Sequence, residues 1–76
     1  MNGNRRKRIL KVADQLRVLL DDIQSLLEEE QNAYDALPES LQESERGEQM
    51  QEAIDNLDTA SSSVEEAVES LESAAE

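Results

Sequence analysis

Between Ile9 and Leu27 apolar residues return at helical spacing: Ile9, Val12, Ala13, Leu16, Leu19, Leu20, Ile23, Leu26 and Leu27. With Ile9 lettered a, they fill every a, d and e place of a heptad for nearly three repeats, a strip wider than the seam of a two-stranded coiled coil. A face of that width has to be covered, and the rest of the chain is read by asking what covers it.

The 76 residues contain no Cys, His, Trp or Phe, and Tyr34 is the single aromatic. Disulfides are excluded, and the core of so short a chain has to be aliphatic and thin. Lack of Cys fits a reducing cytoplasm. The longest apolar run in the helical region, Val18 to Leu20, falls far short of the roughly 20 residues of a membrane span. Lys11, Asp14, Gln15 and Arg17 interrupt the apolar stretch that a signal peptide would need after Arg5, Arg6, Lys7 and Arg8. The chain reads as cytoplasmic, neither spanning a membrane nor exported.

The net charge of -12 is unevenly placed. Residues 1–17 hold six basic residues and Asp14, a net of +5, whereas residues 18–76 hold Arg46 and eighteen acids, a net of -17. Such an acidic body repels nucleic acid and anionic lipid and favours basic partner surfaces.

Helix one is expected over about residues 5–35, with Asn4 as its cap. Its strip weakens at Glu30, an a position, where the apolar face begins to open. Asp14, Asp21, Glu28 and Asp35 recur at f, flanked by Asp22 and Glu29 at g, so the acids line the opposite side. Pro38 lacks an amide hydrogen and biases Leu37 away from helical angles, which places the turn at about 36–44. Pro38 can open a short helical turn, and Ser40-Leu41-Gln42-Glu43 has the spacing of a capping box. Gly47 either loosens the start of the next helix or admits a neighbouring backbone.

Helix two is expected over about residues 45–74. Met50, Leu57, Val64 and Leu71 recur every seven residues. Ala53, Ala60, Ala67 and Ala74 follow three behind, and Ile54, Ser61, Val68 and Ala75 four behind. Small residues at a repeated place permit close helix approach, which suits packing of the alanine row against the leucine-rich first helix. Ser61, Ser62 and Ser63 make the softest stretch of the rod. Folding back brings Arg5 to Lys11 beside Glu65, Glu66, Glu69, Glu72 and Glu76, where each helix end offsets the other's unfavourable charge. The fold class is therefore all-α, a coiled-coil-like antiparallel two-helix hairpin in one domain. An a, d and e strip exceeds what one neighbour covers, so two hairpins forming a homodimeric four-helix bundle are the default, with a groove on another protein as the competitor.

No catalytic, cofactor or metal motif stands out. The clusters Glu28-Glu29-Glu30 and Glu65-Glu66 with Glu69 lack the His residues of a di-metal bundle and the loop of an EF-hand. Catalysis normally draws on Cys, His or a based Ser in a cleft, and a rod of this composition offers neither group nor cleft. No enzyme activity is expected. Arg5 to Arg8 have the chemistry to contact phosphate, but pairing with the acidic tail is the favoured reading, and direct nucleic-acid binding is not expected. The acidic surface itself remains. Asp21, Asp22, Glu28 and Glu29 on helix one and Glu48, Glu52, Asp55, Glu65, Glu66 and Glu69 on helix two form a negative face able to imitate phosphate charge. Ile9, Val12, Leu16, Leu19, Leu20, Ile23, Leu26 and Leu27, with Met50, Ala53, Ile54, Leu57, Ala60, Val64, Ala67, Val68 and Leu71, form the packing strips.

The stretch Glu29-Glu30-Gln31-Asn32-Ala33-Tyr34-Asp35-Ala36-Leu37-Pro38-Glu39-Ser40-Leu41-Gln42-Glu43-Ser44-Glu45-Arg46-Gly47-Glu48-Gln49-Met50, continued by Glu52-Ala53-Ile54-Asp55-Asn56-Leu57, resembles small acidic helical proteins of phages and mobile elements in Gram-positive bacteria. The similarity covers roughly the central third and assigns no functional residue. It implies a context in which small acidic proteins antagonise host machinery, restriction and CRISPR effectors included, by blocking a binding surface. The expected function is accordingly occlusion of a basic, nucleic-acid-binding surface of a host protein. A structural or assembly role, acting through helix packing alone, is the alternative.

Overall fold

The computed structural model describes residues 2–76, which form three helices and no strand: α1 (Gly3–Asp35), α2 (Glu39–Gln42) and α3 (Glu45–Ala74). α1 and α3 lie side by side in a rod of 59 × 14 × 12 Å. Arg17 on α1 meets Glu72 on α3, and seven residues further along α1 the Gln24 amide donates to Glu65 at 3.1 Å. One number rises by seven as the other falls by seven, so the two helices run in opposite directions.

α1 begins earlier than its sequence suggests. Asn2 rather than Asn4 is the cap: it is extended, and its side-chain oxygen accepts the Arg5 amide at 2.7 Å. Capping from Asn2 lets the Arg6 amide reach the Asn2 carbonyl at 3.2 Å, a backbone bond that a cap at Asn4 would forgo. At the other end the Gln42 side chain donates to the Tyr34 carbonyl at 3.1 Å, satisfying one of the acceptors that a helix end leaves open.

Pro38 stands at the cap of α2, with Leu41 and Gln42 amides returning to its carbonyl at 2.9 and 3.0 Å. The capping box expected at Ser40 does not form, because Ser40 lies inside α2 and no side chain caps that helix. The cap that matters is Ser44, whose hydroxyl accepts the Gly47 amide at 3.5 Å and donates to the Leu41 carbonyl. Gly47 is buried, and a Cβ there would collide with the Gln42 carbonyl oxygen and stand 2.7 Å from the Gln42 Cα. Of its two readings, the close backbone approach is the one observed.

The seam between the long helices uses two of the three rows on each. On α1 the a and e rows, Ile9, Ala13, Leu16, Leu20, Ile23, Leu27, Glu30 and Tyr34, are buried or half-buried, Glu30 being the one carboxylate among them. On α3, lettered with Met50 as a, the e row is the innermost: Gly47, Ile54, Ser61 and Val68 are all buried, with Met50, Leu57, Val64 and Leu71 half-buried beside them. The alanine row is therefore not the seam. Ala53 and Ala60 are half-buried and Ala67 and Ala74 exposed, one step round the helix from the line of closest contact. Ser61 sits in the seam because the Gln24 amide donates to its hydroxyl at 3.4 Å, which satisfies the buried oxygen.

The resulting core is thin. Ala13, Ile54 and Val68 are its buried apolar residues, and among the described residues no large side chain is completely enclosed. The surface measures 5541 Å², against the ~4,650 Å² that a compact monomer of this mass would expose. No helix is long and apolar enough to cross a membrane.

Candidate functional site

A rod made of two helices has two broad faces, one on each side of the seam, and the heptad rows decide what each carries. On one side lie the d rows. Ile9 and Val12 share a hollow with Leu71 near the open end, and Ala33 shares another with Arg46 and Met50 near the turn. Val12, Leu19 and Leu26 stand 45, 54 and 53 % exposed along this side, next to the alanine row of α3. These three residues were expected to pack, and within the chain they stay about half exposed, because a and e face α3 and d is turned outward.

On the other side lie the b and f rows. Arg17, Leu20 and Asp21 share a hollow with Glu65, Val68, Glu69 and Glu72, and Gln24, Leu27, Glu28 and Gln31 share the next one with Ile54, Asp55 and Asp58. At two steps α1 supplies a donor and α3 a carboxylate, Arg17 with Glu72 and Gln24 with Glu65; Gln31 lines the next hollow with Asp58 but donates to Asp35 of its own helix at 3.0 Å. This ladder fixes the register of the pair.

The expected acidic residues thus separate into groups. Asp21 with Glu65 and Glu69, and Glu28 with Asp55, come together on the polar face. Asp22 and Glu29 stand at g, on the rim of the apolar face. Glu52 and Glu66 lie at c on the outer flank of α3, and Glu48 is at f beside the turn; all are exposed. Sequence reasoning missed Asp58, set Glu72 against the basic head rather than on the polar face that both residues complete, and missed the donors Arg17 and Gln24 that meet it. Their signal was the shared b letter on both helices.

All nine carboxylates of α3 occupy b, c or f; its a, d, e and g places hold none. Arg46 is the only charge among them, and the g row reads Gln49, Asn56, Ser63 and Ser70. In a chain with 19 acids, one flank of the most acidic helix is free of acid.

The basic head does not take the place expected for it. Arg17 makes both ion pairs found among the described residues, to Asp14 at 3.0 Å and to Glu72, whereas Arg5 to Lys11 make none. The ladder explains this: continued toward the open end, it sets Ala74, the last residue of α3, level with about Gln15. Arg5 to Arg8 therefore stand beyond the acids they were expected to meet. The hydrogen bond and charge of Glu72 raise the Arg17 pKa, holding the guanidinium charged.

Among the described residues no group of three or more His, Cys, Asp or Glu is arranged to hold a metal ion. Comparison of the chain with protein-family models, curated proteins and solved structures found no match.

Proposed function

We propose that the chain is a non-enzymatic interaction protein of phage or mobile-element origin. It acts as an antiparallel hairpin in the host cytoplasm and occludes a basic, nucleic-acid-binding surface of a host protein, as an anti-CRISPR or anti-restriction inhibitor does. The observation that carries this reading is the gathering of carboxylates from both helices onto one face. Asp21, Glu28, Asp55, Asp58, Glu65 and Glu69 line its consecutive hollows. Places seven residues apart on a helix are about 10 Å apart, so the face presents a regular row of negative charge with the donors held between. Long-range charge of one sign speeds encounter with a basic groove and sets its orientation. The resemblance to small acidic phage proteins points the same way.

The test is capture of a target from bacterial lysate by the wild-type chain and by a variant with Asp55, Asp58, Glu65 and Glu69 changed to Lys. Binding through this face weakens steeply as salt rises, releases nucleic acid from the target and disappears in the variant while helicity survives. Equal capture by both chains would refute mimicry.

The exposed d row favours a second reading, that of an assembly protein working through helix packing. It predicts binding indifferent to salt and to the four lysines, and sensitive to Leu19.

A further inference from the structure

We infer that the apolar face is covered by a second copy of this chain, laid face to face with its long axis reversed, so that the turn of each copy lies over the open end of the other.

The face has the size of a stable interface. A rod of 59 × 14 Å has a broad side on the order of 800 Å², the usual share of a specific dimer, and two reversed copies share it along α1 and along residues 60–74 of α3. The surface left over by the thin seam is of similar magnitude.

Its chemistry fits a copy of itself. A second chain carrying a net -12 is a poor neighbour for most of this surface. On the apolar face, however, α3 presents only its a, d and g rows, which hold no carboxylate. Two α3 helices meet there over their last four turns as alanine on alanine, Ala60, Ala67 and Ala74 flanked by Ser63 and Ser70, and no carboxylate of one α3 is set against a carboxylate of the other. Small side chains at d allow the backbones to come close, while Leu19 and Leu26 fill the wider gap between the two α1 helices.

Charge then selects the orientation. The half of the rod nearer the turn, residues 23–64, carries eleven carboxylates and Arg46, a net of -10. The open half, residues 2–22 and 65–76, carries eight carboxylates and six basic residues, a net of -2. Stacking with turns together would set -10 upon -10. Reversal sets each -10 upon a -2 that includes the basic head. The overhanging Arg5 and Arg8 then meet the turn of the second copy, where Asp35, Glu39 and Glu43 stand. With the two-fold axis between Leu19 and Leu26, Leu19 of one copy lies over Leu26 of the other and Val12 over Ala33, and on α3 the axis falls near Ala67. The pairing does not depend on what the acidic face binds.

The experiment is sedimentation of the full chain, with a spin-label distance measurement on Ser40→Cys, the single cysteine of that variant, exposed in the turn. The expected mass is twice 8.5 kDa, and the expected distance between the turns is of the order of the rod length, 59 Å. Turns together would give about one helix-packing distance, ~10 Å plus the label arms, and would overturn the orientation. A monomer at tens of micromolar would overturn the proposal and leave the face to a helix of some other protein. Ala67→Glu, at a position exposed in the single helix pair, should halve the mass, whereas Val18→Glu, at the 64 % exposed c position away from this face, should not. Loss of helix on dilution in Ala67→Glu alone counts as the same result. A wild-type mass for Ala67→Glu would refute the face.

Discussion

The two broad faces of the helix pair are built from the same two helices, the same heptads and nearly the same number of residues, yet they have little in common. One carries Val12, Leu19 and Leu26 beside an alanine row and is rimmed on α3 by uncharged residues. The other carries a ladder of donors and carboxylates, Arg17 with Glu72 and Gln24 with Glu65. Apolar burial is non-directional and scales with area, so the first face gains by being covered with anything of matching shape. Exposed charge pairs contribute little to stability but differ in sign and place, so the second face gives register and selectivity. One side is suited to being covered by apolar packing and the other carries the charge.

Substitutions can break that comparison, beginning with the seam on which both faces depend. Ile54→Ala removes the largest side chain in the buried row of α3 and should cost ~2–4 kcal/mol, enough to unfold a domain this small near body temperature. The check is the urea midpoint followed by circular dichroism. Gly47→Ala should follow at ~1–3 kcal/mol, since the added methyl meets backbone at Gln42 rather than a side chain able to swing away. Loss would show as earlier thermal unfolding.

The polar face sharpens the contrast with smaller effects. Gln24→Ala removes the donor to both Ser61 and Glu65 and should cost ~0.5–1.5 kcal/mol in chemical denaturation, most of it from the buried Ser61 hydroxyl left unpaired. Smallest of all is Arg17→Gln. Its pair with Glu72 is solvent-exposed, so the variant should unfold with the wild type at high salt and differ only at low salt. A raised arginine pKa stabilises the fold at every pH below the unfolded arginine value and fades only above it, so titration of the Arg17 guanidinium brings no pH dependence in ordinary buffers.

The helical content and the place of the turn were legible in the sequence, because heptad spacing and Pro38 act locally. The centre of each apolar strip was not. Periodicity gives the width of a strip and not the direction in which its partner lies, so a, d and e looked equivalent until α3 took a and e and left d outside. The alanine row misled for the same reason: small size suits a tight seam and a tight second interface equally well. Ser61 and Gly47 were passed over as core because neither carries an apolar side chain; one is buried by a hydrogen bond from Gln24 and the other by the backbone of Gln42. The polar ladder needs the register of the two helices before its b positions can be paired, and that register is long-range. The head was misplaced by the same gap, since the ladder leaves Arg5 to Arg8 beyond the last turn of α3.

The division of labour between the faces is tested most directly by the sedimenting mass of the wild-type chain at micromolar concentration as salt is raised. Salt screens the repulsion between two copies of charge -12 and leaves apolar packing intact. The expected result is a dimer at low salt that persists or tightens at high salt. A chain that falls from dimer to its own 8.5 kDa as salt rises would mean that charge holds the copies together, and would contradict the assignment of the two faces.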